Sequence, residues 1–301
     1  MKINSKLAKA IESKDFILTA EYLPVAGTDC AMIDSAASAL GDSLLAVNVA
    51  DNHYGVAVSS LAASVALLKS GFEPVFQIVT RDRNRIALQS DLLGAASLGI
   101  KNVLCLSGYH QTLTGSPESA NVYDIDSIQL VAAVRKMRDE GVLLDGTKIE
   151  GEFSMLIGAA ANPYLTPLEL NIIRLAKKVE AGADFIQTQA VFGIEAFGKW
   201  LDAVVSEGIT EKTAILAGIM PLESAAEAEK LRETYTDMYI SDELIERLKA
   251  AGDEKAQKKE GLAVCAETIK KVKEMNGVRG IHILSGGKEA VVSELLTASG
   301  L

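Results

Sequence analysis

Eight short apolar runs, separated by segments with apolar residues at helical spacing, constrain the fold of this chain most strongly. Such alternation is typical of an α/β protein with a parallel sheet. Eight strands form a closed (β/α)8 barrel, which needs roughly 250 residues, and the chain has 301. We therefore predict a single TIM-type barrel over residues 1–301, with an open doubly wound sheet as the alternative. The predicted strands are Phe16–Leu23, Leu44–Asp51, Pro74–Thr80, Val103–Ser107, Glu152–Ile157, Asp184–Gln189, Ala214–Met220 and Ile281–Leu284.

The stretch Leu175–Phe192 shows this alternation most clearly. A helix that carries Lys177 and Lys178 is predicted to end at Ala181-Gly182, because glycine supplies the left-handed backbone of many helix C-termini. A nearly continuous apolar run then leads into Gln187-Thr188-Gln189, which suits a parallel strand covered on both faces. The amides stand where such a strand opens toward a ligand. A polar strand end that leads into an ordinary loop is the alternative.

Two further helices have marked boundaries. One covers Ile125–Asp139 and is predicted to start at a capping aspartate, Asp124 or Asp126. The longest helical stretch, Ser241–Met275, is interrupted at Ala251-Gly252-Asp253. The charge run that follows this interruption indicates a solvated helix face rather than a binding surface.

The composition argues against several classes of function. A net charge of −10 does not suit binding along a nucleic-acid backbone, which requires a basic surface. Cys30, Cys105 and Cys265 form no CxxC pair, so neither a disulfide framework nor a cysteine zinc site is indicated, and Cys105 is predicted to lie in the core. The sequence has no recognisable signal peptide and no apolar run of about eighteen residues. We expect a soluble cytoplasmic protein without nucleic-acid or membrane partners.

In such a barrel the C-terminal ends of the strands carry the chemistry. Glu21 ends the first strand among apolar neighbours, where loss of hydration would raise its pKa and make it a proton donor; a solvent-facing glutamate is the alternative. The predicted strand ends carry glycines, amides and one buried acid but few cations. This composition indicates a pocket that recognises a flat heteroaromatic ligand by hydrogen bonds. The remaining residues at predicted strand ends are Asn48, Asp51, Asn52, His53, Gln77, Thr80, Arg81, Asp82, Arg83, Ser107–Gln111, Gly158–Asn162, Gln187, Gln189, Gly218, Met220, Pro221 and Ser285–Lys288.

Other motifs are weak or absent. The histidines His53, His110 and His282 are not at metal-ligand spacing, so we predict no metal site and expect polar loop or packing residues. The segment Ser107–His110 lacks the GxGxxG spacing of a dinucleotide fingerprint, and Ser285-Gly286-Gly287 is only a weak phosphate-loop motif.

In six ordered segments the chain resembles the flavin-dependent methylenetetrahydrofolate reductases, whose catalytic domain is a (β/α)8 barrel. The resemblance covers nearly the whole chain, and the order and spacing of the segments make it specific. The segments are TAEYLP (Thr19–Pro24), GIKNVLCLSG (Gly99–Gly108), YDIDSIQLV (Tyr123–Val131), KKVEAGADFIQTQAVF (Lys177–Phe192), AGIMPL (Ala217–Leu222) and GVRGIHILSGGK (Gly277–Lys288).

The resemblance implies a role for each matching residue. Glu21 matches the general acid that helps protonate a pterin nitrogen as methylenetetrahydrofolate opens to an iminium, and Gln189 and Lys288 match substrate contacts. The positions that it gives to the flavin are Gln77, Ser107, Gly108, Tyr109, Tyr123 and Asp124. The positions that it gives to the adenine nucleotide and its phosphates are Gly158, Asn162, Asn171, Arg174 and Lys178. A cation at Lys178 would offset diphosphate charge; a helix C-terminal lysine favoured by the helix dipole is the alternative.

The chain also departs from the family pattern. The family has an aspartate at a catalytic position where this chain has Tyr109, and a phenol supplies no fixed negative charge at neutral pH, although it can hydrogen-bond or stack. Ser107 stands in place of an arginine, and Asn162 and Gly158 stand in place of a histidine and a tyrosine. The chain looks closer to the anaerobe-type branch, whose reductase subunit often works with partner proteins.

By resemblance we expect flavin-dependent reduction of 5,10-methylenetetrahydrofolate to 5-methyltetrahydrofolate in one-carbon metabolism. The expected cofactor is FAD rather than FMN, the electron donor is NAD(P)H or a partner redox protein, and the protein is expected to form a homo- or hetero-oligomer. Two alternatives stay open: a pterin-binding methyltransfer component with no redox role, and a weakly active structural subunit of a larger reductase complex, marked by Tyr109.

Overall fold

The computed structural model describes residues 3–29, 31–41 and 43–301, so that Cys30 lies outside the described residues. The strands are β1 (Ile17–Tyr22), β2 (Ala46–Val49), β3 (Pro74–Val79), β4 (Asn102–Leu106), β5 (Leu156–Ala161), β6 (Phe185–Ala190), β7 (Ala214–Ile219) and β8 (Val278–Ile283). The α-helices are α1 (Lys6–Ser13), α2 (Ala31–Leu40), α3 (Ser60–Lys69), α4 (Arg85–Ser97), α5 (Ser127–Glu140), α6 (Leu168–Ala181), α7 (Ile194–Ser206), α8 (Ala225–Thr234), α9 (Asp242–Ala250), α10 (Glu254–Glu274) and α11 (Ala290–Ser299). Short 3₁₀ helices cover Gln111–Leu113 and Ile209–Glu211.

The strands form one closed parallel barrel in the order β1 to β8. Strand β8 pairs with β1 to close the sheet, from Gly280 opposite Ile17 to Ile283 opposite Ala20. Strands such as β3 and β7 are buried along their whole length, as expected for strands covered by helices on one face and by barrel-filling side chains on the other. The predicted (β/α)8 barrel is confirmed.

Two apolar clusters stabilise this architecture. The larger one lies between the barrel and its outer helices and includes fully buried side chains such as Phe76 and Trp200. The second fills the lower barrel, where Leu7 of α1 belongs to the same buried cluster as Leu104 and Phe185. Helix α1 therefore closes the barrel at the N-terminal ends of the strands.

The helix boundaries follow the sequence signals. The N-cap of helix α5 is Asp126, whose side chain accepts a hydrogen bond from the Gln129 amide in a capping box, which decides between the two predicted aspartates. Helix α6 ends at Gly182 with φ +123°, as predicted. The predicted interruption between α9 and α10 also occurs, and Asp253 caps α10.

Strand β5 lies further along the chain than predicted. The expected strand was Glu152–Ile157, whereas the observed strand is Leu156–Ala161. Its alanines and glycine are typical of a loop in isolation. Inside the barrel, however, a Cβ atom on Gly158 would collide with the Phe185 ring, so that only a very small residue fits there. The small residues belong to the strand because they pair with β4 and β6.

The described cysteines are buried and free. Cys105 lies in the core of β4, as predicted, and Cys265 lies in α10. Within the described ranges, no cluster of three or more histidine, cysteine or acidic side chains is arranged to hold a metal ion. Among the described helices, none combines the length and the apolar character needed to cross a membrane.

Candidate active site

A cavity of about 290 Å³ opens among the C-terminal ends of the strands. Glu21 from β1 and Gln189 from β6 both line it, together with Gln77 from β3. Each of the eight strands contributes a lining residue, either from the strand itself or directly after it, as with Asp51 after β2 and Met220 after β7. The barrel thus brings residues from distant parts of the sequence to one site, as expected for this fold.

Glu21 is the buried acid of this cavity. Its side chain is 6% exposed. Burial raises the pKa of Glu21 to about 7, while a hydrogen bond with Gln77 opposes the rise and the charge of Glu289 adds to it. The carboxyl therefore carries its proton in a large share of molecules near neutral pH and can donate it. This agrees with the raised pKa expected from the sequence.

The floor of the cavity is a buried polar layer. The side-chain amides of Asn48 and Gln187 exchange two hydrogen bonds, of 2.7 and 3.0 Å. Beside them, Thr19 Oγ1 lies 3.0 Å from Nδ1 of His282. Burial lowers the pKa of His282 to about 3, so that the imidazole is neutral. These contacts hold the side chains beneath Glu21 in fixed orientations.

Tyr109 lies on one wall of the cavity. Its Oη accepts a hydrogen bond from Nε2 of Gln189 at 2.9 Å, and its ring centroid lies 5.1 Å from that of Tyr235. Burial raises the pKa of Tyr109 strongly, and the charge of Asp237 raises it further. Tyr109 is therefore a neutral phenol that contacts a residue expected to bind folate.

Two ion pairs stiffen the rim of the cavity. The Arg81 side chain is 2% exposed; it pairs with Asp82 at 2.8 Å and donates to the carbonyl oxygens of Asn52 and Tyr109. Arg83 pairs with Asp51 at 2.6 Å. Arg81 thus ties together the loops after β2, β3 and β4. Its place at a strand end was visible in the sequence, but its partners were not.

The residues expected at the flavin divide into two groups. Gln77, Ser107 and Gly108 line the cavity with Tyr109. Tyr123 and Asp124 lie behind this wall: Tyr123 Oη donates to the Gly108 carbonyl at 3.2 Å, and the Asp124 carboxylate accepts two hydrogen bonds from the Arg85 guanidinium. Tyr123 therefore contacts the loop that lines the cavity, and Asp124 anchors the segment that follows it.

The residues expected at the adenine nucleotide gather around the end of β5. The Asn171 amide donates to the carbonyl oxygens of Asn162 and Leu165, at 2.8 and 3.1 Å, and organises this loop. The Lys178 ammonium donates to the carbonyl of Ala160, a residue that lines the cavity. Burial lowers the pKa of Lys178 to about 8, and the charge of Arg174 lowers it further. Arg174 itself lies exposed on α6.

Two further predicted residues, Gly158 and Lys288, also do not line the cavity; nor do Asn162, Asn171, Arg174 and Lys178. Gly158 lies within β5 against the Phe185 ring. The Lys288 ammonium is held by the carboxylates of Glu223 and Glu227, at 2.7 Å each, on a neighbouring part of the rim. Neither residue is in contact with the space that Glu21 and Gln189 share.

Sequence reasoning missed the residues that α8 and the connection to α9 bring to the cavity. These are Leu231, Tyr235, Asp237 and Met238. The connection packs across the strand ends, where the Tyr239 ring stacks on that of Tyr164 at 5.0 Å and 17°. No periodicity or motif in the sequence indicates these contacts, because they depend on residues far away in the chain.

Comparison with known proteins identifies the family. The family model described as methylenetetrahydrofolate reductase matches residues 6–300. The chain belongs to the methylenetetrahydrofolate reductase family. It is 27% identical over 250 residues to a protein of Caenorhabditis elegans named probable methylenetetrahydrofolate reductase (NADPH). The aligned region covers 81% of this chain and 34% of that protein. It is 24% identical over 186 residues to 5,10-methylenetetrahydrofolate reductase of Escherichia coli. The aligned region covers 61% of this chain and 55% of that protein.

The matched segments span about a third of the nematode protein and about half of the bacterial one. A solved structure from Clostridium thermocellum has the same fold, with a TM-score of 0.67 at 13% identity and coverage of 98% of both chains; it is described as an uncharacterized protein that binds two copies of 5-methyl-5,6,7,8-tetrahydrofolic acid. Methylenetetrahydrofolate reductases are in general flavin-dependent enzymes.

Proposed function

We propose that this chain catalyses the flavin-dependent reduction of 5,10-methylenetetrahydrofolate to 5-methyltetrahydrofolate, as one catalytic domain over residues 1–301. The single observation that carries the proposal is the shared cavity of Glu21 and Gln189, in which the buried carboxyl has a pKa of about 7. Family membership supports the reaction class. The Clostridium thermocellum protein, which binds 5-methyltetrahydrofolate, supports the suitability of this fold for a folate.

The residues around β5 fit the phosphates of a flavin nucleotide. Lys178 is a partly buried ammonium whose hydrogen bond goes to a neutral carbonyl, and within the described ranges no carboxylate forms an ion pair with it. Burial lowers the pKa of Lys178, the positive charge of Arg174 lowers it further, and the charge of Asp126 only partly opposes these effects. A phosphate would supply the negative charge that the protein omits. A phosphate contact at Lys178 suits FMN as well as FAD, and we propose FAD as the cofactor because the family resemblance gives this region to an adenine nucleotide.

The rest of the cavity fits a planar ring system. Apolar side chains from four strand ends, Val79, Leu106, Met220 and Leu284, provide a surface for stacking. The amides of Gln77 and Gln189 provide hydrogen bonds at its edges. When bound, the flavin supplies the hydride that converts the one-carbon unit to a methyl group.

Glu21 supplies the proton in this proposal. Opening the five-membered ring of methylenetetrahydrofolate breaks the bond between N10 and the bridging carbon, and the departing nitrogen takes a proton while an iminium forms at N5. The Glu21 carboxyl is the proton donor, and Gln189 holds the pterin beside it. The buried layer of Asn48, Gln187 and His282 excludes water below the reacting atoms.

The experiment that tests the proposal starts from purified protein reconstituted with FAD or with FMN. The bound flavin is measured by its absorbance after gel filtration. 5-Methyltetrahydrofolate is then added without oxygen, and the reverse reaction is followed as bleaching of the oxidised flavin band. NADH, NADPH and a reduced viologen are compared as donors, so that a nicotinamide donor is distinguished from a redox partner.

We expect retention of FAD and bleaching by 5-methyltetrahydrofolate. The variant Glu21→Gln should retain FAD and bleach far more slowly, whereas Glu267→Gln, which removes a surface carboxylate paired with Arg247, should match the wild type. Protein that holds no flavin but binds 5-methyltetrahydrofolate would overturn the proposal and would favour a methyltransfer component. Protein with bound flavin that the folate never bleaches would favour a structural subunit.

A further inference from the structure

Two of the charges at the cavity are neutralised by partners within the rim. Asp51 lines the cavity and is paired with Arg83 at 2.6 Å. Arg81 also lines the cavity and is paired with Asp82 at 2.8 Å. Arg83 also pairs with Asp91 at 2.8 Å, and additional hydrogen bonds to the backbone fix the geometry of both cavity pairs. Asp51 and Arg81 therefore each have a counter-charge within the rim.

The other ionisable groups on the cavity wall are largely neutral. Burial lowers the pKa values of His53 and His282 to about 4 and about 3, and the charge of Arg81 adds to the effect at His53. Burial raises the pKa of Tyr109, which keeps its proton. Glu21, with a pKa of about 7, is protonated in slightly acidic solution.

Asp237 differs from these cavity residues because its carboxylate has no ion-pair partner among the described residues. It lies on the connection between α8 and α9 and lines the cavity beside Tyr109 and Tyr235. Its carboxylate accepts a hydrogen bond from the Asn162 amide at 3.2 Å, and its backbone carbonyl accepts from the same nitrogen at 2.8 Å. In the described part of the chain no cation pairs with it. Asp237 is held in position but not neutralised.

We propose that Asp237 is the fixed negative charge of the cavity and that it selects the cationic form of the bound heterocycle. This inference rests on the proposed function, for which the relevant cation is the ring-opened iminium of the folate. Position 109 holds a neutral tyrosine here, where the family resemblance leads one to expect an aspartate. The carboxylate is instead presented by a different segment, which packs against the Tyr109 ring through Tyr235.

The expected size of the effect follows from the environment of the carboxylate. Asp237 is only partly buried, so the attraction between its charge and that of a ligand is reduced by solvent. A preference of about tenfold for a cationic ligand over a neutral one of similar shape is reasonable for such a site.

Two folates of similar shape but different charge serve as probes. 5,10-Methenyltetrahydrofolate carries a permanent positive charge on the bridge between N5 and N10, and 5-methyltetrahydrofolate has a neutral pterin. Binding of both to the purified full chain is measured by quenching of protein fluorescence, at one slightly acidic pH at which the methenyl ring persists and Glu21 is protonated. The variants are Asp237→Asn and the control Asp242→Asn, which removes an exposed carboxylate paired with Arg232 near the same connection.

The wild type should bind the methenyl compound about tenfold more tightly than the methyl compound. Asp237→Asn should lose this preference while its affinity for the methyl compound stays within about twofold, which also shows that the site is folded. Asp242→Asn should behave as the wild type. In the double variant Tyr109→Asp with Asp237→Asn the preference should return, because a carboxylate again faces the ligand.

Three results would overturn the inference. The wild type could bind both folates with equal affinity, Asp237→Asn could weaken both equally, or Asp237→Asn could keep the preference. Each of these leaves folate binding, and with it the proposed function, intact. Failure of the wild type to bind either folate would instead refute the proposed function, and the role of Asp237 with it.

Discussion

Gln189 and Tyr109 meet at the cavity wall, where Nε2 of Gln189 donates a hydrogen bond to Oη of Tyr109 at 2.9 Å. The two residues are 80 positions apart in the sequence. The contact orients the amide that is proposed to hold the folate, and it exists because position 109 carries a phenol. A shorter side chain at position 109 would not reach Gln189 in the same way.

Loss of this hydrogen bond should lower the free energy of unfolding by a measurable amount. Tyr109→Phe keeps the ring but leaves the Gln189 amide without its acceptor, and we expect the free energy of unfolding to fall by about 1 kcal/mol. Urea denaturation followed by fluorescence gives this value. In a Gln189→Leu background the same substitution at position 109 should cost clearly less; an equal cost in both backgrounds would show that the bond contributes nothing.

The acid role of Glu21 predicts a specific pH dependence. Because its pKa is raised to about 7, the protonated donor is lost as the pH rises through that value, and kcat for methylenetetrahydrofolate reduction should fall on the alkaline side. Glu21→Gln should lower kcat by about 10²- to 10⁴-fold and abolish this limb of the profile. A steady-state pH profile measures both effects. An unchanged alkaline limb in Glu21→Gln would assign it to another group.

The same raised pKa has a consequence for folding. The folded state holds the Glu21 proton more tightly than the unfolded state, whose pKa is near the ordinary 4.5, so this group costs stability as the pH rises from about 4.5 to about 7. Glu21→Gln removes the cost, and its stability relative to the wild type should increase across that window by up to about 3 kcal/mol. Urea titrations at several pH values test this. A difference that does not vary with pH would contradict it.

Lys178 should contribute to the binding of the phosphate-bearing part of the cofactor and not to the binding of its ring system. Lys178→Gln removes the ammonium that lacks a counter-charge, and we expect the Kd for FAD to rise about tenfold, whereas the Kd for riboflavin, which has no phosphate, stays the same. Lys177→Gln is the matched control, since Lys177 is exposed on the same helix. Equal weakening of FAD and riboflavin would indicate a general loss of structure, and no change for FAD would exclude a phosphate contact.

The position of β5 can be tested through Gly158. A methyl group at this position would collide with the Phe185 ring, so Gly158→Ala should lower the free energy of unfolding by about 2 kcal/mol. Phe185→Leu in the same chain should recover part of the loss, because it makes room for the methyl group. Thermal unfolding of the four combinations measures the coupling. Additive effects would argue against this packing.

The sequence predicted correctly those features that are determined by residues close together in the chain. The barrel, the α6 terminus and Glu21 follow from patterns within short segments: apolar runs, a glycine after a helix, and an acid inside an apolar strand. Gly158 was placed after the strand, whereas its pairing with Leu104 and Phe185 of the neighbouring strands, which are distant in the sequence, places it within β5. The sequence pattern of one segment does not reveal which distant residue will pack against it.

The same limit explains why Asp237 was overlooked. The segment after α8 contains polar residues and no periodicity, and its course over the cavity depends on Asn162 and on the stacking of Tyr239 against Tyr164. These contacts join residues about 75 positions apart. They become visible only when the barrel has brought β5 and the end of α8 together.

The closure of the lower barrel by α1 limits how small molecules reach the reacting atoms. Because Leu7 and its neighbours fill the interior below Leu104, molecules enter and leave past the strand ends and the α8–α9 connection. Reductant and folate that both contact the same ring system would then share one entrance and exclude each other. Double-reciprocal plots with parallel lines are the kinetic consequence of such alternate occupancy, and intersecting lines would show that reductant and folate bind at the same time.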